Sequence, residues 1–137
     1  MCDTAQRMAS GGAQQILLVG AGGFLGSVLR YGMYGLVSRL PLAAFPYGTL
    51  AANLLGCLAI GLLAGLAESR NLIGPDMRLF LFVGLLGGFT TYSAFGYEIF
   101  ALLRDGEHLR SAAFVLAHLL VGVGAVWLGY ALTSQPS

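Results

Sequence analysis

The sequence predicts an all-α membrane protein of four transmembrane helices, and three observations carry that prediction. Of its 137 residues, 57% are hydrophobic and 9% charged, where a soluble domain carries about 25% charge. A chain this short has no aqueous core large enough to hide so much apolar surface. The apolar residues fall into four runs without Asp, Glu, Lys or Arg, at residues 8–29, 40–67, 79–97 and 111–137. Each approaches or exceeds the about 20 residues that cross a bilayer as a helix. The runs are continuous and rich in Leu, Ala and Gly. Strands of a closed barrel would alternate apolar and polar residues instead.

The elements follow in order. Residues 1–15 read as a flexible polar N-terminal tail. A cleaved signal peptide would need a short apolar core, and the run from Ile16 is too long, so it is read as a retained span. The first helix is predicted over residues 16–37. Pro41 and Pro46 then stop and restart helices, and the second helix is predicted over 47–67. The loop Glu68-Ser69-Arg70-Asn71 and the turn Gly74-Pro75-Asp76 lead to a third helix over 78–103. The polar turn Arg104-Asp105-Gly106-Glu107 leads to a fourth over 111–132, and residues 133–137 form a C-terminal tail. Residues 16–132 thus make one domain with both termini on one side of the membrane.

Glycine is abundant, at 21 residues. Helices in lipid associate through close backbone contact rather than a hydrophobic drive. The pairs Gly22/Gly26, Gly61/Gly65 and Gly84/Gly88 are predicted contact stripes. Tyr31, Tyr34, Phe45, Tyr47, Trp127 and Tyr130 cluster toward the run ends, where aromatic belts sit at the headgroup level.

Charge and cysteine usage narrow the function. The formal net charge is +1, every basic residue is Arg, and no basic run points to nucleic acid. Cys2 and Cys57 are far apart and no CxxC occurs, so neither a metal cluster nor a disulfide framework is indicated. Arg7, Arg70 and Arg78 fall on one side, against Arg39, Arg104 and Arg110, with Arg30 nearby, on the other. Excess Arg and Lys normally mark the cytoplasmic side, and here the bias is close to zero. Two arrangements satisfy that count: a single orientation set by the insertion machinery, or an antiparallel dual-topology homodimer about a two-fold axis in the membrane plane.

Three features exceed what plain membrane anchoring needs. The first is Gly87-Gly88-Phe89-Thr90-Thr91-Tyr92-Ser93-Ala94-Phe95 in the third run. Paired glycines followed by β-branched and hydroxyl residues lower helix propensity at one point. One outcome is a broken helix whose freed backbone groups line a cavity. The other is an intact helix with Ser and Thr bonded to their own backbone. The second is Asn53, an amide alone on an apolar run, which needs a partner helix or a pore to face. The third is Arg30 with Glu98, each toward the C-terminal end of its span, placed to pair or to frame a vestibule. His118 has no second ligand at metal spacing and reads as a packed, hydrogen-bonded histidine. No nucleophile, base and orienting group come together, so the chain is not expected to be an enzyme.

Taken together, three ordered segments resemble the Fluc (CrcB) family of fluoride channels: residues 22–31, residues 48–56 and residues 87–95. The resemblance covers nearly all of residues 16–132. It implies a fluoride-selective passive channel of the cell inner membrane that relieves cytoplasmic fluoride toxicity. It implies an antiparallel dual-topology homodimer, a third helix broken mid-membrane, and a structural Na⁺ at the dimer centre held by the backbone carbonyls of Gly87 and Thr90. The pore-lining residues it implies are Asn53, Thr91, Tyr92, Ser93 and Phe95, with Arg30 and Glu98 at a vestibule. Two positions depart from the family pattern, Tyr92 where Phe is usual and Ala94 where Thr is usual, and Gly96 replaces a commoner Ser. A competing class is the proton-coupled exporter of small organic cations, also small, four-helical and dual in topology. It needs a membrane-embedded carboxylate, which the first helix lacks.

Overall fold

The computed structural model describes the backbone of residues 2–39, 45–69 and 73–134, and side chains from residue 12 onward. Pro41, Arg70, Asn71 and the last three residues of the expected C-terminal tail lie outside the described residues.

Four helices are long and apolar enough to cross a membrane. Helix α1 spans Cys2–Val37, α2 Tyr47–Ser69, α3 Pro75–Arg104 and α4 His108–Thr133. Each extends past the boundaries read from sequence. In α1 the helical backbone starts well before Ile16, because Ala5, Gln6, Arg7 and Met8 are good helix formers. Pro75 occupies the first turn of α3, where its missing N–H costs nothing. Thr133, expected in the C-terminal tail, closes α4 and donates its hydroxyl to Leu62 O at 2.9 Å. The turn between α3 and α4 uses Gly106 at φ 77°, a left-handed conformation that favours glycine. Beside it, the Arg104 guanidinium donates to Asp105 at 2.9 Å and holds that carboxyl below its usual range.

The glycine stripes are the packing surfaces. A Cβ on Gly61 would fall on Val126 O, and one on Gly129 would sit 2.5 Å from Leu58 O, so α2 and α4 meet backbone to backbone. A Cβ on Gly65 would meet Tyr130 O at 2.9 Å. In the same way Gly22 and Gly26 of α1 receive the first half of α3. A Cβ on Gly84 would stand 2.9 Å from Gly22 Cα, and one on Gly88 would stand 2.5 Å from Gly23 O. All three predicted pairs are therefore contacts. Two close helix pairs result, α1 with the first half of α3 and α2 with α4.

Very little apolar surface is hidden inside the chain. Among the described residues, the buried hydrophobic ones are Ala52, Ala67, Leu86 and Phe114. Leu17, Phe24, Leu120, Val123 and Trp127 are about 70% exposed, as lipid-facing residues are. Such an outward-facing apolar surface is stable only in a bilayer or against another protein, so this is a multi-pass membrane protein.

The third helix is broken. Residues 75–89 form its first half and Tyr92–Arg104 its second, separated by Thr90 (φ −83°, ψ 159°) and Thr91 (φ −151°, ψ 118°), both extended. Consecutive β-branched residues prefer extended backbone, and the Gly-Gly pair before them weakens the helix they would have to continue. The intact-helix alternative is thereby excluded. Two stretches have the wider π-helical turn, Leu79–Leu86 and Ala117–Val121. Such turns recur at functional sites. One ends a turn before the break, and the other carries His118.

Candidate functional site

A break at membrane depth must find partners for the groups it frees. Asn53 of α2 supplies two of them. Its Oδ1 accepts the Thr91 N–H at 2.8 Å, and its Nδ2 donates to Thr91 O at 3.1 Å. One side-chain amide thus grips both ends of a single residue, as a neighbouring strand would. Asn53 lies half-buried, one helical turn beyond the fully buried Thr49 and one before the buried Gly56. That face of α2 is turned toward the break.

The hydroxyls complete the capping. Thr90 N and Thr90 Oγ1 both donate to Leu86 O at 2.9 Å, ending the first half. Thr91 Oγ1 caps the second half by accepting from Ala94 N at 3.2 Å, and it lies 3.2 Å from Ser93 Oγ. In an unbroken helix Gly87 O would receive Thr91 N–H and Thr90 O would receive Ala94 N–H. Both amides are diverted to side chains. The carbonyls released from their helical donors therefore include those of Gly87 and Thr90. Arg30 Nη1 donates to Thr90 O at 3.4 Å, and a carbonyl oxygen can accept a second contact as well.

An aromatic and imidazole cluster lies beside the break. Phe95 stands 5.7 Å from Tyr92, 5.6 Å from Phe114 and 4.4 Å from His118, ring centre to ring centre. Phe114 meets His118 edge-on at 4.4 Å. His118 Nδ1 lies 2.9 Å from Phe114 O and Nε2 lies 3.2 Å from Asn53 Nδ2. A cavity of about 420 Å³ opens here. Asn53, Thr90, Thr91, Tyr92, Phe95 and His118 contribute to its wall, as do Gly87, Cys57 and Leu86.

The cavity brings together most of the residues expected from sequence: Asn53, Thr91, Tyr92 and Phe95, together with Gly87 and Thr90. Ser93 points off the cavity but stays bonded to Thr91. Arg30 and Glu98 do not bond to each other. Arg30 reaches the break, whereas Glu98 Oε1 accepts from Thr49 Oγ1 at 2.7 Å. Because Thr49 has one hydroxyl proton, Tyr34 OH is the donor in its 2.9 Å contact with Thr49 Oγ1. The second Glu98 oxygen, Oε2, is buried without a partner among the described residues. Sequence reasoning missed Tyr34 and Thr49, taking the first as a headgroup anchor. It foresaw a packed, hydrogen-bonded His118 but not that its partner is Asn53. The available signals were that both are lone polar residues on apolar runs, and that Phe114 lies one turn before the histidine.

This geometry accompanies a sequence match over nearly the whole domain. The family model described as CrcB-like protein, Camphor Resistance (CrcB), matches residues 17–130. The chain belongs to the CrcB family. Curated relatives agree along their lengths. A fluoride-specific ion channel FluC of Methylobacillus flagellatus is 49% identical, over 88% of this chain and 95% of the relative. One from Chlorobium chlorochromatii is 50% identical, over 85% of this chain and 90% of the relative. One from Nitratidesulfovibrio vulgaris is 44% identical, over 85% and 94%. The matched residues 17–130 include the break, Asn53 and His118.

Proposed function

We propose that this chain forms a passive, fluoride-selective channel that lets fluoride leave the cytoplasm. The observation that carries the proposal is the clamped break in α3, with its released carbonyls, hydroxyls and aromatic edges gathered at one cavity. Family membership supports it, since similar chains are named fluoride-specific ion channels. Fluoride is small and strongly hydrated, so a path must offer donors in place of water. Hydroxyls of Thr91 and Ser93 and the positive edges of Tyr92 and Phe95 are suitable groups. Passive conduction needs these contacts to be weak enough to release the ion. The exporter alternative finds no support in the relatives, and the membrane-crossing part of α1, Gly12–Val37, carries no carboxylate.

The working unit in this reading is an antiparallel homodimer. Support comes from the near-zero arginine bias, the small buried core and the exposed flank of the cavity, where Tyr92 is 84% exposed. A structural Na⁺ at the dimer axis fits the donor set: Gly87 and Thr90 carbonyls have lost their helical amides, and hard cations take oxygen ligands. Bound there, it would supply positive charge and join two broken helices. Arg30, on the other lone pair of Thr90 O, would orient that carbonyl. Fluoride-loaded vesicles test the channel reading: purified protein should release fluoride and retain chloride. Equal release of both anions would refute selectivity, and no release would refute the channel.

A further inference from the structure

The hydrogen bonds around His118 have only one consistent assignment of protons. Phe114 O can only accept, so the proton of the neutral ring sits on Nδ1. Nε2 is then an acceptor, facing Asn53 Nδ2 at 3.2 Å. Asn53 gives one amide hydrogen to Nε2 and the other to Thr91 O, while Oδ1 receives Thr91 N–H. Turning the amide over would set Oδ1 against two acceptors and Nδ2 against a donor. His118 alone distinguishes the amide's two ends from the side away from the break.

We propose that His118 is the positioning residue of this site, its unprotonated Nε2 fixing the Asn53 amide and, through it, the Thr90–Thr91 break. The inference rests on the channel reading above and names a control on it. An imidazolium donates from both nitrogens. It would meet the Asn53 N–H donor to donor, and either the amide turns over or the ring swings away. Each movement loosens the hold on Thr91. Acidification therefore slows fluoride passage through the protein.

The ring's surroundings leave few competing titrations. Phe95 and Phe114 pack against it, each 4.4 Å away ring centre to ring centre. Among the described residues, its hydrogen-bond partners are Asn53 and Phe114. Groups that titrate or carry charge on the neighbouring helices are Cys57 on α2 and Tyr92 on α3, both at the cavity wall, with Glu98 on α3 and Arg30 on α1. Glu98 bonds to Thr49 and Arg30 to Thr90, away from the imidazole nitrogens.

Fluoride release from phosphatidylethanolamine and phosphatidylglycerol vesicles is measured at about pH 7.5 and about pH 4.5, the lower value well below the ordinary histidine range. Protein-free vesicles correct for leakage of hydrogen fluoride. One net hydrogen bond corresponds to roughly a fivefold change in an equilibrium, so the corrected rate of the unaltered protein should fall at least fivefold at the lower pH. His118→Leu removes the acceptor and should be slow at both pH values. His118→Gln offers an acceptor oxygen near the Nε2 position without titrating. It should conduct faster than His118→Leu, with a flat profile. A rate that holds or rises on acidification overturns the proposal, as does an acid drop retained in His118→Gln, which would assign the titration to another group. Fast conduction by His118→Leu also overturns it. Nitrogen-15 resonances of His118, resolved from His108 by a His108→Asn variant, give an answer independent of flux. A proton on Nδ1 at neutral pH is expected, and one on Nε2 refutes the assignment. Failure of all fluoride release with the Nδ1 tautomer intact would instead count against the channel reading alone.

Discussion

Replacing Asn53 with Leu tests whether one side chain holds the break. Leucine nearly preserves volume but removes every polar contact. Thr91 N–H, Thr91 O and His118 Nε2 then lose bonds of 2.8, 3.1 and 3.2 Å. A polar group left without a partner in a protein interior costs about 1–3 kcal/mol. The residues are half-buried, so the lower figure applies. Three such losses sum to roughly 3 kcal/mol, or about a hundredfold in an equilibrium. The sharpest readout is amide hydrogen exchange at Thr91. Its N–H is protected by a side chain of another helix, not by a helical carbonyl. In Asn53→Leu its exchange should rise at least about fivefold, the value of one net bond, and up to about a hundredfold if the whole break loosens. Amides of residues 123–128, in the middle of the second half of α4, should be unchanged. Thr91 exchange within twofold of the unaltered protein, with the helices still folded, would show that the clamp does not hold the break. The argument from Asn53 to the site would then fail.

Other substitutions probe separate links. Phe95→Ile keeps an apolar side chain but removes the ring between Tyr92 and His118, and should stop fluoride efflux from vesicles while the purified protein still elutes as one species; undiminished efflux would remove the ring from the path. Asn53→Asp keeps the acceptor for Thr91 N–H but sets a carboxylate against Thr91 O, and should slow efflux; faster efflux would place Asn53 off the route. Gly129→Val drives methyl groups into Leu58 O, and overpacking of this kind costs about 1–3 kcal/mol. Lower yield of folded protein and a lower midpoint of thermal unfolding in detergent should follow, and an unchanged midpoint would show that α2 and α4 separate freely. Thr49→Val removes the link between Tyr34 and Glu98, leaving the Glu98 carboxylate without its hydroxyl donor. A drop in thermal midpoint larger than that of Tyr34→Phe is expected, because a carboxylate that loses its donor is costlier than a neutral hydroxyl that is removed.

Which parts were legible in the sequence follows from the range of the forces involved. Span number and position depend on hydropathy summed over a window, and the four helices lie where the charge-free runs place them. The glycine pairs were legible because close approach forbids a Cβ, a constraint written at single positions. At residues 87–95, composition alone left an intact and a broken helix both open. What decides is that Thr91 turns its amide toward Asn53, 38 residues away, and its hydroxyl toward Ala94 N in the next turn. Long-range partners of that kind leave no local trace. For the same reason Arg30 was placed with Glu98 on grounds of depth, whereas the structure gives each a different partner. The π-helical stretches were equally invisible, since they reflect how turns adjust to neighbours rather than intrinsic preference.

A break of this form presents opposite polarities a few ångströms apart. The first half of α3 ends in carbonyls without helical donors, and the second half begins in amides without helical acceptors. The corresponding partial charges are negative at the end of residues 75–89 and positive at Tyr92. A cation therefore suits the Gly87 and Thr90 side, and an anion suits the Tyr92 side. An intact helix offers neither, and separate helices would need two loops at membrane depth to offer both. Asn53 makes the arrangement tolerable because its amide matches Thr91 group for group, taking the N–H that would reach Gly87 O, while Thr91 Oγ1 takes the Ala94 N–H that would reach Thr90 O. A hydroxyl at Asn53's position has a single proton, so after donating it to Thr91 O it would have none left for His118 Nε2. The amide serves both Thr91 groups and still reaches His118. The chemistry of the site thus depends on a side chain with two donors and an acceptor in one plane, and on an imidazole that tells one end of it from the other.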